Sequence, residues 1–219
     1  MCGGRGTRLG GDTEKPLVRI RGRAMVDRVV DAAMDATRVG TVYAVASLHA
    51  TETRAHLAES RPGVPIVTAP GDGYVSDLQY AVDAIGTDGS TGPTLLTLAA
   101  DLPLLDGEAV DAVVDTACDA DAASLTVCVP AERKRELGVS ADTATEIDGR
   151  EVVPAGINVV GSDETEGDDA DGTGSDTADE TGGDVVHLTD DTRLAVNVNY
   201  PSDALIAERL LAKTTHTDS

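Results

Sequence analysis

Residues 2–17 read CGGRGTRLGGDTEKPL, and this glycine-rich stretch decides what the rest of the chain must build. Gly3, Gly4 and Gly6 permit positive φ angles and let backbone N–H groups approach an anion closely. A phosphate-cradling loop of this kind leaves the end of a strand in an α/β domain. Because the loop stands at the start of the chain, we expect the first strand to be missing before residue 1, and the natural product to begin about five to ten residues earlier, a typical strand length.

Three cations in the same stretch indicate a polyphosphate ligand. Arg5 and Arg8 can bind phosphate oxygens in a bidentate way, and Lys15 acts as a compact point charge. Lysine occurs at positions 15, 134 and 213 only, beside 14 arginines, so Lys15 is the lysine that we expect to be retained for chemistry. A structural turn would explain any single glycine but not the cations. The spacing fits neither a Walker loop nor the dinucleotide fingerprint.

Length, charge and cysteine content bound the class of protein. The 219 residues suit one domain, 1–219, and the net charge of −22 makes nucleic acid or an anionic membrane an unfavourable partner. No apolar run approaches the roughly 20 residues that cross a bilayer. Three scattered cysteines favour free thiols in a reducing cytoplasm. The acid excess outside the acidic insert described below favours a high-salt, halophilic cytoplasm over an ordinary acidic protein.

Short apolar runs alternate with helical patterns along most of the chain. Such β-α units predict an α/β domain with a doubly wound, mostly parallel sheet. The expected strands are 41–46, 64–68, 94–99 and 124–129, with late strands at 152–160 and 194–197. The expected helices are 24–38, with an apolar face that includes Met34, then 75–85, 108–118 and one from about Pro201.

Residues 162–184 carry ten acidic residues, no base and no large apolar side chain. Such a segment cannot bury enough surface to offset its ordering entropy, which predicts a disordered acidic insert. A metal-binding role is the weaker alternative because the spacing of the acids is irregular.

Asp101 is the second candidate for chemistry. It follows the apolar strand 94–99, and ligands of open α/β sheets sit at the carboxyl ends of the strands. A lone carboxylate there suits Mg²⁺, which takes one or two carboxylates together with phosphate oxygens and water. The alternative is a helix N-cap, but the next helix is expected at Glu108, too distant for Asp101 to cap it.

Weaker motifs follow later in the chain. Gly71, Gly73 and Tyr74 can let a ring approach the backbone, and Asn197 and Asn199 have the same-face spacing of a strand, where amides can orient a ligand or metal-bound water. Each motif can equally shape a turn. The residues of these weaker motifs are Gly71, Gly73, Tyr74, Gly156, Asn158, Asn197 and Asn199.

The motif Gly3-Gly4-x-Gly6-Thr7-Arg8 with Glu14-Lys15-Pro16-Leu17 resembles the signature of a nucleotidyltransferase superfamily. This superfamily includes molybdenum-cofactor guanylyltransferases and sugar-phosphate nucleotidyltransferases, and the resemblance implies their Rossmann-like, nucleotide-diphospho-sugar transferase-like fold. The short spacing from Arg8 to Lys15 is nearer to the guanylyltransferases than to the sugar enzymes. With the later motifs, nearly the whole chain outside the insert looks most like the archaeal GTP:adenosylcobinamide-phosphate guanylyltransferases of cobamide (cobalamin) synthesis.

The resemblance implies the substrates GTP and adenosylcobinamide phosphate, Mg²⁺ on Asp101, and the products adenosylcobinamide-GDP and pyrophosphate. Arg8, Lys15 and Asp101 would be the catalytic residues. The GTP-binding residues would be Gly3, Gly4, Arg5, Gly6, Thr7, Arg8, Lys15, Gly71, Gly73 and Tyr74. Gly156, Asn158, Asn197 and Asn199 would line the acceptor side or support the metal. No histidine near a motif is needed, because a phosphate nucleophile is already ionised.

Two alternatives stay open. A molybdenum-cofactor guanylyltransferase would have the same site and a different acceptor, and a non-catalytic nucleotide-binding module would have the same fold. The presence of Arg8, Lys15 and Asp101 argues against the second alternative, because a pure binder need not keep the metal-binding carboxylate. The sequence does not fix the oligomeric state, so a homodimer also stays open.

Overall fold

The computed structural model describes the chain except residues 3–8, 10–12, 86–94, 121, 123, 161–183 and 215–219. A 3₁₀ turn, Lys15–Leu17, precedes an antiparallel hairpin of β1 (Arg19–Ile20) and β2 (Arg23–Ala24). The helices are α1 (Met25–Asp35), α2 (Thr51–Ser60), α3 (Tyr74–Ile85), α4 (Gly107–Asp119), α5 (Ala131–Leu137), α6 (Thr192–Ala195) and α7 (Pro201–Thr214). The remaining strands are β3 (Ala44–Ser47), β4 (Ile66–Ala69), β5 (Leu95–Leu98), β6 (Ser124–Pro130), β7 (Thr145–Ile147), β8 (Arg150–Val160) and β9 (Asp184–Leu188).

Two sheets carry the described strands beyond the hairpin. β3 and β4 form a parallel pair, and a five-stranded sheet has the order β5-β8-β6-β9 with β7 paired to β8. In the larger sheet β6 and β9 are parallel, whereas β8 runs antiparallel to β5, β6 and β7. The expected α/β class is therefore confirmed, with a mixed sheet that contains parallel pairs.

The expected elements recur with shifts of a few residues at their ends, as is usual for such boundaries. α1 buries Val26, Val29, Val30 and Ala33, but Met34 is 56% exposed and does not belong to its buried face. The expectation of a strand over 194–197 was wrong, because Leu194 and Ala195 lie in the helix α6.

The acidic insert, predicted over residues 162–184, lies outside the described residues except for its last position. Asp184 begins β9, which pairs with β6 from Ser124 onward, and so belongs to the sheet rather than to the insert.

Valine, leucine, isoleucine and alanine form the core, since the chain has no Phe and no Trp. The main cluster joins α1 and α4 to the inner face of the five-stranded sheet, with Val110, Val113 and Leu125 among its buried side chains. A second cluster packs the β1–β2 hairpin and α7 around Ile20, Met25 and Val198. Because α7 and the hairpin share this cluster, the chain from Val196 onward is brought back beside Lys15.

Candidate functional site

A cavity of about 560 Å³ opens where β3, β4 and β5 end. Ser47 ends β3, Gly71 follows β4, and Ala99 to Asp101 follow β5, so the carboxyl ends of three strands surround it. This is the edge at which open α/β sheets bind ligands. The lining also includes Met1, Cys2, Glu14, Lys15, Pro16, Val45, His49, Ala50, Gly73, Tyr74, Asp77 and Ala100.

The structure joins three predicted residues in one polar cluster at the wall of this cavity. Lys15 Nζ lies 2.5 Å from Asp101 Oδ2 and donates a second hydrogen bond of 2.8 Å to Asn199 Oδ1. The side chains of Lys15 and Asp101 are 19% and 17% exposed, so the pair is shielded yet open to the cavity. Residues separated by 86 and 184 positions in sequence therefore meet at one ammonium group.

Asp101 has one carboxylate oxygen without a hydrogen-bond partner. Its Oδ2 accepts from Lys15, whereas Oδ1 is buried and has no hydrogen-bond partner. The N-cap of α4 is Asp106, whose side chain accepts from the Ala109 N–H, so Asp101 is not a helix cap. A buried carboxylate oxygen without a partner is costly unless a cation or a donor completes it.

This arrangement fits a divalent cation held by a single protein carboxylate, with phosphate and water oxygens as the other ligands. In the part of the chain that the structure describes, no three His, Cys, Asp or Glu side chains group together as a metal site. Asp101 Oδ1 is an atom through which the protein could hold such an ion.

Glu14 fixes the 3₁₀ turn that carries Lys15. Its carboxylate accepts from the backbone N–H groups of Glu52 and Thr53 at 3.0 and 2.8 Å, in the first turn of α2. Desolvation would raise the pKa of Glu14, but the hydrogen bonds from Thr53 and Glu52 lower it below its ordinary value. Two of the free N–H groups at the start of α2 are thereby satisfied, and the next residue, Lys15, is anchored against that helix.

The predicted GTP-binding residues Gly71, Gly73 and Tyr74 line the same cavity. Gly71 has φ +88° and Gly73 has φ +124°, conformations that favour glycine. A Cβ on Gly71 would lie 2.5 Å from Ser47 Oγ and 2.9 Å from His49 Cδ2, whereas one on Gly73 would meet nothing within 4 Å. The backbone N–H of Gly71 donates to Asp77 Oδ1 at 2.7 Å, which ties the turn to α3.

Tyr74 links the cavity to the predicted acceptor side. Its hydroxyl lies 3.2 Å from Thr97 Oγ1, and Asn158 Nδ2 donates to the Tyr74 and Thr97 oxygens at 3.2 and 3.3 Å. Gly156 has φ +79°, and a Cβ there would lie 2.8 Å from Ala99 Cβ. The strand β8 therefore approaches the end of β5 closely, two residues before Asp101.

The two predicted asparagines are divided between two lysines. Asn199 contacts Lys15, but Asn197 Oδ1 accepts from Lys134 Nζ at 2.5 Å. They do not share one strand face, since the segment after α6 is not a strand. Lys134, which is only 1% exposed, was not expected at the site. The scarcity of lysine was the signal that could have identified it.

His49 also lines the cavity, although no histidine was expected near a motif. It lies in the turn after β3, and its ring packs beside Gly71, which follows β4. The predicted phosphate loop (Gly3, Gly4, Arg5, Gly6, Thr7 and Arg8) lies outside the described residues, while its flanks, Cys2 and Glu14, line the cavity.

Two solved nucleotidyltransferase structures resemble this chain in fold. The CMP:2-keto-3-deoxy-manno-octonic acid synthetase, solved with CTP, matches with a TM-score of 0.63 at 14% identity, covering 94% of this chain and 95% of that one. A Bacillus anthracis protein assigned as a glucose-1-phosphate thymidylyltransferase matches with a TM-score of 0.66 at 12% identity, covering 95% and 92%. The fold is therefore a nucleotidyltransferase fold.

The chain belongs to the family of MobA-like NTP transferase domains, whose model matches residues 1–161. The adenosylcobinamide-phosphate guanylyltransferase of Methanocaldococcus jannaschii is 29% identical over 168 residues, which cover 73% of this chain and 78% of that protein. The expected superfamily is thereby confirmed. Among the described helices, none has both the length and the apolar character needed to span a membrane.

Proposed function

We propose that this protein transfers GMP from GTP to adenosylcobinamide phosphate, giving adenosylcobinamide-GDP and pyrophosphate in cobalamin synthesis. The observation that carries the proposal is the pairing of Lys15 with Asp101, whose second oxygen is buried and without a partner, at the edge of a cavity in a nucleotidyltransferase fold. The similarity to the Methanocaldococcus jannaschii enzyme supports this acceptor and this base.

In the proposed reaction an oxygen of the acceptor phosphate attacks the α-phosphorus of GTP. A new P–O bond forms there, and the bond from the α-phosphorus to the bridging oxygen of the β-phosphate breaks, so pyrophosphate leaves with that electron pair. The nucleophile is already an anion and needs no strong general base. Catalysis then rests on positioning and on stabilisation of the developing charge.

Lys15 and Asp101 divide this work. Without a nucleotide they neutralise each other, and Asn199 holds the ammonium group from a second side. On binding, the Lys15 ammonium turns to a phosphate oxygen, which leaves both oxygens of Asp101 open. Mg²⁺ on that carboxylate would offset the negative charge on the leaving pyrophosphate.

The other predicted residues take supporting roles in the proposal. The glycine loop with Arg5 and Arg8 holds the phosphates, and the turn Gly71 to Tyr74 receives guanine. Close packing of Gly71 against Ser47 and His49 leaves no room for a side chain at this position. Asn158 and Gly156, joined to Tyr74 and Ala99, border the acceptor side.

Turnover with defined substrates tests the proposal. The purified protein is incubated in molar KCl with Mg²⁺, GTP and either adenosylcobinamide phosphate or molybdopterin, and pyrophosphate and the nucleotide-linked product are measured. Product from adenosylcobinamide phosphate supports the proposal, and product from molybdopterin alone would establish a molybdenum-cofactor guanylyltransferase. Thermal unfolding with GTP, ATP and CTP tests base choice, because a ligand that binds the native state raises the Tm.

GTP binding without turnover on either acceptor would contradict the proposal in favour of a non-catalytic module. The net charge of −22 supports the further proposals of a halophilic cytoplasm and of an acidic insert that acts as solvated filler. Deleting residues 162–183 should then leave turnover in molar KCl within about twofold. Sedimentation in the same salt tests the homodimer.

A further inference from the structure

The segment after α6 is held from three directions before it reaches Lys15. Val198 N donates to the backbone oxygen of Asp101 at 2.9 Å, and the side chains of Val196 and Val198 are fully buried. The Asp203 carboxylate accepts from Asn199 N and Tyr200 N, each at 2.9 Å. These contacts fix the main chain on either side of Asn199.

Lys134 supplies the third contact from α5. Its ammonium donates to Ala195 O at 2.7 Å and to Asn197 Oδ1 at 2.5 Å. Burial lowers the pKa of Lys134 to about 8, against the opposing effect of the Asp203 and Asp101 carboxylates. A buried cation is an expensive way to join two segments, and an apolar side chain of the same size often serves stability as well.

We infer that Lys134 is a positioning residue that acts through Asn197. Lys134 holds the main-chain oxygen of Ala195 and the side-chain amide of Asn197. These contacts set the direction in which the Asn199 side chain points toward Lys15. Its buried ammonium group does not touch the substrate. The inference rests on the proposed function, in which Lys15 is the residue that meets phosphate.

The test compares Lys134→Met and Lys134→Arg with the control Lys213→Met, on the exposed face of α7. Assays are run well below the Tm of each variant. Lys134→Met should lower kcat at least tenfold with the KM for GTP changed less than threefold, Lys134→Arg should restore part of kcat, and the control should match the wild type. A Lys134→Met enzyme that is folded and retains full kcat would overturn the inference.

A double variant and an NMR readout separate positioning from simple destabilisation. In the Asn199→Ala background, Lys134→Met should cause little further loss, since both act through one contact. Additive losses would overturn the inference. With three lysines in the chain, ¹⁵N-lysine NMR resolves the Lys15 ammonium signal. That signal should shift in Lys134→Met and not in Lys213→Met, and an unchanged signal overturns the inference even if the wild type shows no turnover.

Discussion

Lys15 and Lys134 each donate a hydrogen bond to an asparagine of one short segment, Lys15 to Asn199 at 2.8 Å and Lys134 to Asn197 at 2.5 Å. Their surroundings differ. Lys15 shares its charge with Asp101 at the wall of an open cavity, whereas Lys134 is sealed beneath the segment and also bonds a main-chain oxygen. A hydrogen bond from lysine to asparagine can therefore serve ligand binding at Lys15 and hold the backbone in place at Lys134. The exposure of the lysine side chain decides which of these two roles the hydrogen bond has.

The largest effect is expected for the carboxylate on the open side. Asp101→Asn keeps the size of the side chain but removes the negative charge that would hold the cation. The kcat for pyrophosphate release should fall about a thousandfold, at the upper end of losses for one electrostatic group. The circular dichroism spectrum should stay that of the wild type. A variant within tenfold of wild-type kcat would place the metal on another residue.

Lys15→Met removes the positively charged side chain from the open side of the site. Loss of the contact with phosphate should lower kcat/KM for GTP by about a hundredfold. The Tm should change by only a few degrees, because the site is partly exposed and the lost ion pair is a small contribution to stability. A fall in Tm as large as that of Lys134→Met would break the distinction between the two lysines.

Lys134→Met should lower the stability of the fold more than it weakens nucleotide binding, the opposite of Lys15→Met. The variant leaves Ala195 O and Asn197 Oδ1 without their buried donor, at a cost of about 1–3 kcal/mol. The Tm should therefore fall by about 2–12 °C, while the Kd for GTP, measured by calorimetry, stays close to that of the wild type. A large rise in that Kd would mean that Lys134 belongs to the nucleotide side.

The turn beside the open side offers a matched pair of glycines. Gly71→Ala places a Cβ 2.5 Å from Ser47 Oγ, whereas Gly73→Ala meets open space, and both carry the strain of a positive φ. We expect KM for GTP to rise about tenfold more in Gly71→Ala than in Gly73→Ala. Equal KM values in the two variants would contradict the assignment of this turn to guanine binding.

The smallest predicted effect is a pH dependence of the free energy of unfolding that arises from Lys134. The pKa of Lys134 is lowered from 10.5 to about 8. Between these values the unfolded chain holds a proton that the folded protein has lost, so unfolding takes up a proton and rising pH favours the folded state. The free energy of unfolding of the wild type, relative to Lys134→Met, should rise by up to about 1.4 kcal/mol per pH unit above pH 8. Urea unfolding from pH 7.5 to 10 measures the slope.

Sequence patterns were sufficient to single out Lys15 and Asp101 on the open side of the site. Lys15 stood out by scarcity and by its glycine-rich neighbourhood, and Asp101 by its place after an apolar strand. The structure joins the two at 2.5 Å. Both clues are local, because a strand end and a loop composition can be read within a few neighbouring residues. The fold class followed from the same alternation of strands and helices.

The sealed side could not be predicted because its contacts are long-range. Lys134 and Asn197 are 63 positions apart and lie on elements that no local pattern relates. The spacing of Asn197 and Asn199 predicted a shared strand face, but Asp203 and Lys134 hold the segment in a different path. Met34 was assigned to the buried face of α1 for a similar reason, since periodicity cannot show where the packed neighbours end.

The position of Cys2 gives the molecule an internal chemical reporter. The Cys2 N–H donates to Val45 O of β3 and the Met1 nitrogen donates to Leu98 O of β5, so these two residues join the two strands. The Cys2 thiol is buried, and burial raises the pKa of Cys2 above its ordinary value. Cys118 is exposed on α4, while Cys128 is buried in β6. The alkylation rate of Cys2 therefore reports how often the contacts between β3 and β5 open. The rate of the exposed Cys118 gives the value for an unprotected thiol, and the rate of Cys128 gives the value for a thiol inside the sheet.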